Sequence, residues 1–469
     1  MFFEIFGLGL LIPFLTILLD ENIYKNEYLI PLIKLLNNPT RETLIFYGIF
    51  FLIIFYLIKS LYYIYSKWKL SIFITTLHSK LSSHLFNHYL SVPFKFHLKK
   101  KSGDILKNIQ IELNFLIIFI ESLLNIFLEI IIFVSVFIVV LYVEPIGSLL
   151  SIFILGLASF ILVVIFKNKI NDLGKKREKA DSEISKKLLN YLISVKEIIF
   201  FGTKSFFVKS LSKEFNNKKN LTNKFNLFNN LPRSFTELFA VISISSLIIF
   251  SLLKGYSTDQ ILLIIGVFGL STFRLIPSFN KLLSYYNIMI YRFPSIKVIY
   301  DELNEFDNSK LAYKVNKKSK IEFDNIEFKN VSFSYDDKSN YVIDNINFKI
   351  QKGDFVGIIG ESGSGKSTLI DLFLGLLFPS KGSVNVNNIN IHSNLNAWQR
   401  CIGYIPQNIN LLDTSVKNNI LFGSPDLEIK KINYSIKKAD LSKFINANKL
   451  NFEMKIGDFG KNISGGQKQ

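Results

Sequence analysis

Apolar residues along this chain gather into blocks instead of alternating with polar ones. Six blocks stand out, at about Phe2 to Leu19, Leu44 to Ile64, Ile118 to Val143, Ile146 to Phe166, Leu238 to Leu253 and Ile261 to Phe279. Each approaches the roughly 20 residues that a helix needs to cross a bilayer, so the pattern predicts six membrane-spanning helices within residues 1–300. After the sixth block a helical pattern continues through Tyr285, Ile288 and Val298. It then yields to a polar, lysine-rich stretch, Asn308 to Lys320, inside a linker drawn at 301–320. From Ile321 the period changes to two, because Ile321-Glu322-Phe323 and Ile326-Glu327-Phe328-Lys329 alternate as a half-buried strand does. Residues 321–469 therefore read as a soluble α/β domain. Within it the apolar run Asp354 to Ile359 predicts a strand, and Leu369 to Leu377 predicts a helix.

Composition agrees with a membrane protein: 49% of the 469 residues are hydrophobic and 46 are Phe, too apolar for a wholly soluble chain. A signal peptide is the alternative reading of the first block, but it lacks a basic n-region and a small-residue cleavage site and carries Glu4. Cys401 is the one cysteine, so no internal disulfide forms. Charge then sets the topology. Residues 66–115 carry eight Lys/Arg and residues 167–233 carry sixteen, whereas Glu144-Pro145 and Lys254 to Gln260 are nearly bare. The positive-inside bias puts both long loops and the C-terminal domain in the cytoplasm, in a multi-pass protein of the cytoplasmic (inner) membrane. That bias, with a lysine-rich solvated surface, accounts for nearly all of the net charge of +18, and the lysines are spread over membrane-adjacent loops without a nucleic-acid reading module, so no nucleic-acid partner is expected. Lys99-Lys100-Lys101 and Lys175-Lys176-Arg177 read as contacts for anionic membrane lipid.

The candidate chemistry lies between the predicted strand and helix, in Gly360-Glu361-Ser362-Gly363-Ser364-Gly365-Lys366-Ser367-Thr368. Glycine, four residues, then Gly-Lys-Ser is P-loop spacing. Gly360, Gly363 and Gly365 let backbone N–H groups turn inward around a phosphate, with Ser362, Ser364 and Thr368 completing the loop. Lys366 supplies a point charge to the β- and γ-phosphates, and the Ser367 hydroxyl is a ligand for Mg²⁺. The loop predicts binding of a nucleoside triphosphate.

A second motif, Asn462-Ile463-Ser464-Gly465-Gly466-Gln467, follows Gly457 and Gly460 near the C-terminus. With it the chain resembles the ATP-binding cassette (ABC) transporters, whose signature is usually written LSGGQ; Ile463 stands in place of the leucine. The resemblance continues in family order through Val331-Ser332-Phe333-Ser334-Tyr335, Ile402-Gly403-Tyr404-Ile405-Pro406-Gln407 and Asn419-Ile420-Leu421-Phe422-Gly423. It implies ATP and Mg²⁺ as cofactors, with Tyr335 stacked on adenine and Ser367 and Gln407 at the metal. It also implies that Ser464, Gly465, Gly466 and Gln467 act across a homodimer, capping ATP held on the partner's P-loop. The two long loops resemble the intracellular extensions of type IV exporters. Asn190 to Phe201 looks like the second coupling segment and Phe94 to Asp104 leads towards the first. The apolar residues Leu188, Leu189, Leu192, Ile193, Val195 and Ile198 would equally form an ordinary packing stripe.

The fold class expected from all this is an α-helical transmembrane domain of ABC exporter type with six spans, followed by an incomplete α/β P-loop nucleotide-binding domain. The sequence stops at Gln469, directly after the signature. Walker B, the catalytic glutamate after it, the D-loop and the switch histidine are not in it, so the chain reads as a truncated half-transporter with no catalytic residue of its own. Within the exporters, Glu4-Ile5-Phe6-Gly7, Ile12-Pro13-Phe14 and Phe273-Arg274-Leu275-Ile276-Pro277-Ser278 resemble segments of the lipid-linked-oligosaccharide flippases (PglK-like). Glu27 to Asn37 is similar to their helix on the outer interface. This implies ATP-driven flipping of an amphiphilic, lipid-linked substrate. The alternatives are a peptide, bacteriocin or multidrug exporter, and a non-catalytic ATP-binding fragment. Arg274 reads either as a contact for an anionic substrate group or as the partner of Glu121 or Glu129, which share a helical face with Asn125.

Overall fold

In a computed structural model of the chain the described residues are 39–143, 145–255, 258–307, 321–336, 340–407, 409–424, 429–442 and 465–468, with scattered single positions elsewhere. The chain divides into two compact units, Met1–Tyr313 and Lys314–Gln469.

The first unit is helical. In chain order it contains α1 (Arg41–Ser91), α2 (Phe94–Lys99), α3 (Ser102–Lys107), α4 (Leu113–Val143), α5 (Pro145–Ile193), α6 (Val195–Phe200), α7 (Lys204–Leu253) and α8 (Thr258–Asp307). The second to sixth apolar blocks lie on α1, α4, α5, α7 and α8. The first block falls largely outside the described residues, and Glu27 to Asn37 falls wholly outside them. Arg41–Ser91 and Ser102–Ile138, each containing an 18-residue stretch of mean hydropathy 2.3 and 2.5 respectively, are long and apolar enough to cross a membrane. Helices α5 and α7 hold 49 and 50 residues. At about 1.5 Å per residue each reaches roughly 75 Å, more than twice the hydrocarbon thickness of a bilayer. The second polar loop of the sequence, 167–233, thus lies on the extensions of these two helices and on α6 between them, and the first, 66–115, lies on the end of α1, on α2 and α3 and on the start of α4.

Between α5 and α7 the chain breaks at Ser194, forms the single turn and a half of α6, and turns back. Asn190 to Phe201 therefore forms a tip, and Ile199 and Phe200 on it are 72% and 81% exposed. These apolar residues do not pack within the unit.

Two apolar clusters hold the extensions together: Leu85, Tyr89, Val92, Leu113 and Ile299 in one, Ile170, Leu173, Ala180, Leu221, Phe225 and Tyr291 in the other. Helices α5 and α8 meet where a Cβ on Gly174 would stand 2.5 Å from the Tyr291 carbonyl oxygen, a contact only glycine permits. Beside it Arg177 is buried. Its guanidinium donates to Ser295 Oγ at 2.9 Å, lies 3.4 Å from Asp181 and 3.7 Å from Glu112, and covers the Phe115 ring at 4.1 Å. A single π turn, Asn108–Glu112, joins α3 to α4 and ends at this carboxylate. Lys107 pairs with Glu178 at 2.6 Å, and Lys218 pairs with Asp181 at 2.6 Å.

Three expectations change here. The cluster Lys175-Lys176-Arg177 is divided, since Lys176 lies outside and pairs with Asp172 while Arg177 faces inward. In the other cluster Lys100 is taken by Glu302. On α4, Asn125 and Glu129 are buried but Glu121 is exposed, and the ion-pair partner of Glu129 is Lys281 at 3.1 Å. The side chain of Arg274 lies outside the described set.

The second unit carries a four-stranded antiparallel sheet of β1 (Asn325–Phe333), β2 (Ile343–Gln351), β3 (Lys381–Val386) and β4 (Ile389–Asn390), in the order β2-β1-β3-β4. Strand β1 is central and buries Ile326, Phe328, Val331 and Phe333. Around the sheet lie α9 (Lys366–Phe373), α10 (Leu395–Gln399), α11 (Val416–Leu421), α12 (Ile429–Lys438) and α13 (Gly465–Lys468). The run Asp354 to Ile359 is not a strand, and Phe355 and Ile359 are 103% and 97% exposed. An apolar run of this kind becomes a strand only when another strand takes up its backbone hydrogen bonds, and no strand among the described residues pairs with it.

His392 stacks on Phe378 at 4.1 Å, and neither of its ring nitrogens has a partner among the described residues. Burial holds its pKa below the ordinary value. The unfolded chain therefore binds this proton first as pH falls. Stability is full above about pH 6.5 and is lost as pH drops from there towards the folded pKa. The difference in melting temperature between wild type and His392→Phe, followed from pH 7.5 to 5.5, should move in favour of the variant. Parallel curves would show that His392 is not the group responsible.

Candidate functional site

The P-loop is shaped by its own residues. Gly363 and Gly365 both sit at φ +90°, where side chains are strained, and a Cβ on Gly365 would meet Ile343 Cδ1 at 2.9 Å. Gly365 then caps α9 with a left-handed conformation, so the first turn of the helix presents unpaired N–H groups at the loop. Lys366 Nζ donates to the carbonyl oxygens of Gly360 and Glu361 at 2.8 and 2.7 Å, which draws the start of the loop to its end. Ser362, Gly363, Ser364 and Ser367 are exposed around the resulting cradle. One turn into α9, burial raises the Asp371 carboxyl above its ordinary pKa.

Tyr335 is brought to this loop. Its hydroxyl shares a 2.9 Å hydrogen bond with Thr368 Oγ1, and its ring stands edge-on to Phe333 at 4.9 Å. The sequence carried no signal for the link to Thr368, which depends on where β1 leaves the sheet. Gln407 is exposed in the segment after Tyr404, and no hydrogen bond among the described residues joins it to the P-loop. A few residues further on, Asn419 donates to Leu412 O, Thr414 Oγ1 and Ser415 O and accepts from Leu412 N, which pins that loop to the start of α11. Gly465, Gly466 and Gln467 lie on α13, and Ser464 is outside the described residues.

This cradle suits a polyphosphate: it offers backbone N–H groups at the head of α9 and the Lys366 cation. The oxygen donors Ser367 and Gln407 suit Mg²⁺, a hard cation that keeps several waters and leans on substrate phosphates. Residues 343–469 match the family described as ABC transporter, and residues 13–272, more than half of the chain, match ABC transporter transmembrane region. The chain belongs to the ABC transporters.

A protein named as an export ATP-binding/permease protein in Rickettsia bellii is 40% identical over 146 residues, 31% of this chain and 25% of that protein. The alpha-hemolysin translocation ATP-binding protein HlyB of Escherichia coli O6:H1 is 35% identical over 146 residues, 31% of this chain and 21% of its own. The chain thus aligns with a quarter or less of the length of these curated relatives. A solved structure of a bacterial Atm1-family ABC exporter with ATP bound superposes with a TM-score of 0.78, covering 99% of this chain and 82% of that one at 17% identity. At that identity the likeness shows the fold alone. As an ABC transporter of exporter fold, this is a multi-pass membrane protein with a helical transmembrane domain followed by a nucleotide-binding domain.

Proposed function

We propose that the protein is one half of a homodimeric exporter that uses ATP to move an amphiphile, a lipid-linked oligosaccharide or related glycolipid, from the inner to the outer leaflet. The observation that carries the reading is a P-loop at the head of α9 in the same chain as an exporter-type membrane domain. Tyr335 stacks on adenine, Gly360 and Ser362 to Thr368 hold the phosphates, and Ser367 with Gln407 holds Mg²⁺, which neutralises phosphate charge when bound. Ser464, Gly465, Gly466 and Gln467 close the site of the partner subunit. The exposed tip at α6 is an apolar surface of the kind a coupling segment needs.

The glycolipid is supported by the flippase-like segments at Glu4 to Phe14 and Phe273 to Ser278. A peptide exporter is the second reading, favoured by the likeness to HlyB, whose name speaks of alpha-hemolysin translocation. The test is ATP-dependent translocation of a fluorescent polyprenyl-pyrophosphate glycan by the protein in proteoliposomes. Lys366→Ala should abolish it. Movement of a leader peptide or a cationic drug, with none of the glycolipid, would overturn the substrate.

A further inference from the structure

Helix α1 carries a girdle of exposed aromatic rings at Tyr62, Tyr63, Tyr65 and Trp68, with the ammonium groups of Lys67 and Lys69 5.4 to 5.8 Å from ring centres. Such belts mark the headgroup level of a membrane. From within this belt Lys67 Nζ donates to Asn125 Oδ1 at 2.9 Å, which sets Asn125 of α4 at the same height. Glu129 lies one turn further along α4, about 6 Å deeper into the hydrocarbon. Its carboxylate is nine-tenths buried. One oxygen, Oε1, faces Lys281 of α8, which is itself half exposed and able to reach outward to the headgroups. The other, Oε2, is fully buried and accepts no hydrogen bond among the described residues.

Asn125 and Ser122 do not supply the missing donor. Asn125 Nδ2 donates to the Glu121 carbonyl oxygen, and Ser122 Oγ donates to the Ile118 carbonyl oxygen. A carboxylate oxygen left open inside a membrane is costly and marks a place where something else binds. The charges at the seam say what. Lys281 already balances Glu129, and Lys67 sits one helical turn away on Asn125, so an incoming ammonium meets two cations at the seam. An incoming anion meets the open oxygen itself. A neutral O–H donor fits, and Tyr285, one turn along α8 from Lys281 and half-buried, supplies a ring on the same helical face.

We infer that this seam between α1, α4 and α8 recognises the hydroxyl-bearing head of the transported amphiphile, with Glu129 Oε2 accepting from a sugar hydroxyl. The inference rests on the glycolipid reading above and locates its recognition site. The probe is a diazirine-bearing dodecyl maltoside, applied to the protein in nanodiscs free of sugar detergents, with labelled peptides mapped by mass spectrometry. Label should fall on α4 and α8 near Glu129 and Lys281. Glu129→Gln should reduce it about tenfold. In the unaltered protein, excess unlabelled maltoside should compete, whereas dodecylammonium and dodecyl phosphate should not. Equal labelling of a folded Glu129→Gln, or stronger competition by the charged probes, would overturn the inference. If the glycan lipid is nonetheless translocated, the proposed function survives that failure. If wild type is neither labelled nor able to translocate it, the two fall together.

Discussion

Replacing Lys366 by alanine should lower the affinity for ATP by about a hundredfold. In the structure the ammonium bonds the two carbonyl oxygens that open the loop, so it closes the cradle, and in the proposed site it is also the cation that meets the β- and γ-phosphates. Hydrogen bonds to charged groups contribute about 1.5–3 kcal/mol each, and losing one or two of them with a shaping contact gives the hundredfold figure. Tyr335→Ala should cost less, about tenfold or below, because an aromatic stack contributes about 0.5–1.5 kcal/mol. Tyr335→Phe divides the two roles of that residue: it keeps the ring and loses only the bond to Thr368, so binding should stay near wild type. Photolabelling with an azido-ATP analogue over a concentration series measures all three. Labelling of Lys366→Ala at wild-type concentrations would remove the P-loop from the nucleotide site.

The P-loop was legible because its spacing encodes backbone geometry: glycines at positions 363 and 365 are needed wherever φ is +90°. The apolar blocks were legible because a bilayer demands a length, not a partner. Features that depend on a partner were not. Asp354 to Ile359 has the composition of a buried strand, yet a strand exists only through its neighbours. Three basic residues in a row at 175–177 look alike in the sequence, and helical phase alone decides that Arg177 turns towards α4 and α8. Asp181, one turn on from Arg177, was the available sign. Glu121 and Glu129 differ by eight residues, about 80° of helical rotation, which is enough to leave the first exposed and bury the second.

Arg177→Met should destabilise the membrane unit by about 3–5 kcal/mol, the usual cost of leaving buried charge without its partner. The methionine keeps most of the volume but none of the five donors. Glu112 and Asp181 would then face each other across the space the guanidinium fills, with Lys107 at 3.7 Å from Glu112, Lys218 beside Asp181 and the Arg292 guanidinium over the Phe115 ring as the nearby cations that remain. The bond to Ser295 on α8 goes too, so the variant also unlinks α5 from α8 where Gly174 lets their backbones touch. A drop on the order of 10 °C in the melting temperature of the detergent-solubilised protein is expected. The triple variant Arg177→Met, Glu112→Gln, Asp181→Asn discriminates between lost charge balance and lost packing. It removes the stranded charges while keeping the methionine, so it should recover much of the drop if charge is the cause. A triple variant that melts no higher than Arg177→Met alone would place the cost in packing, and a single variant that melts with wild type would show that the network contributes nothing to stability.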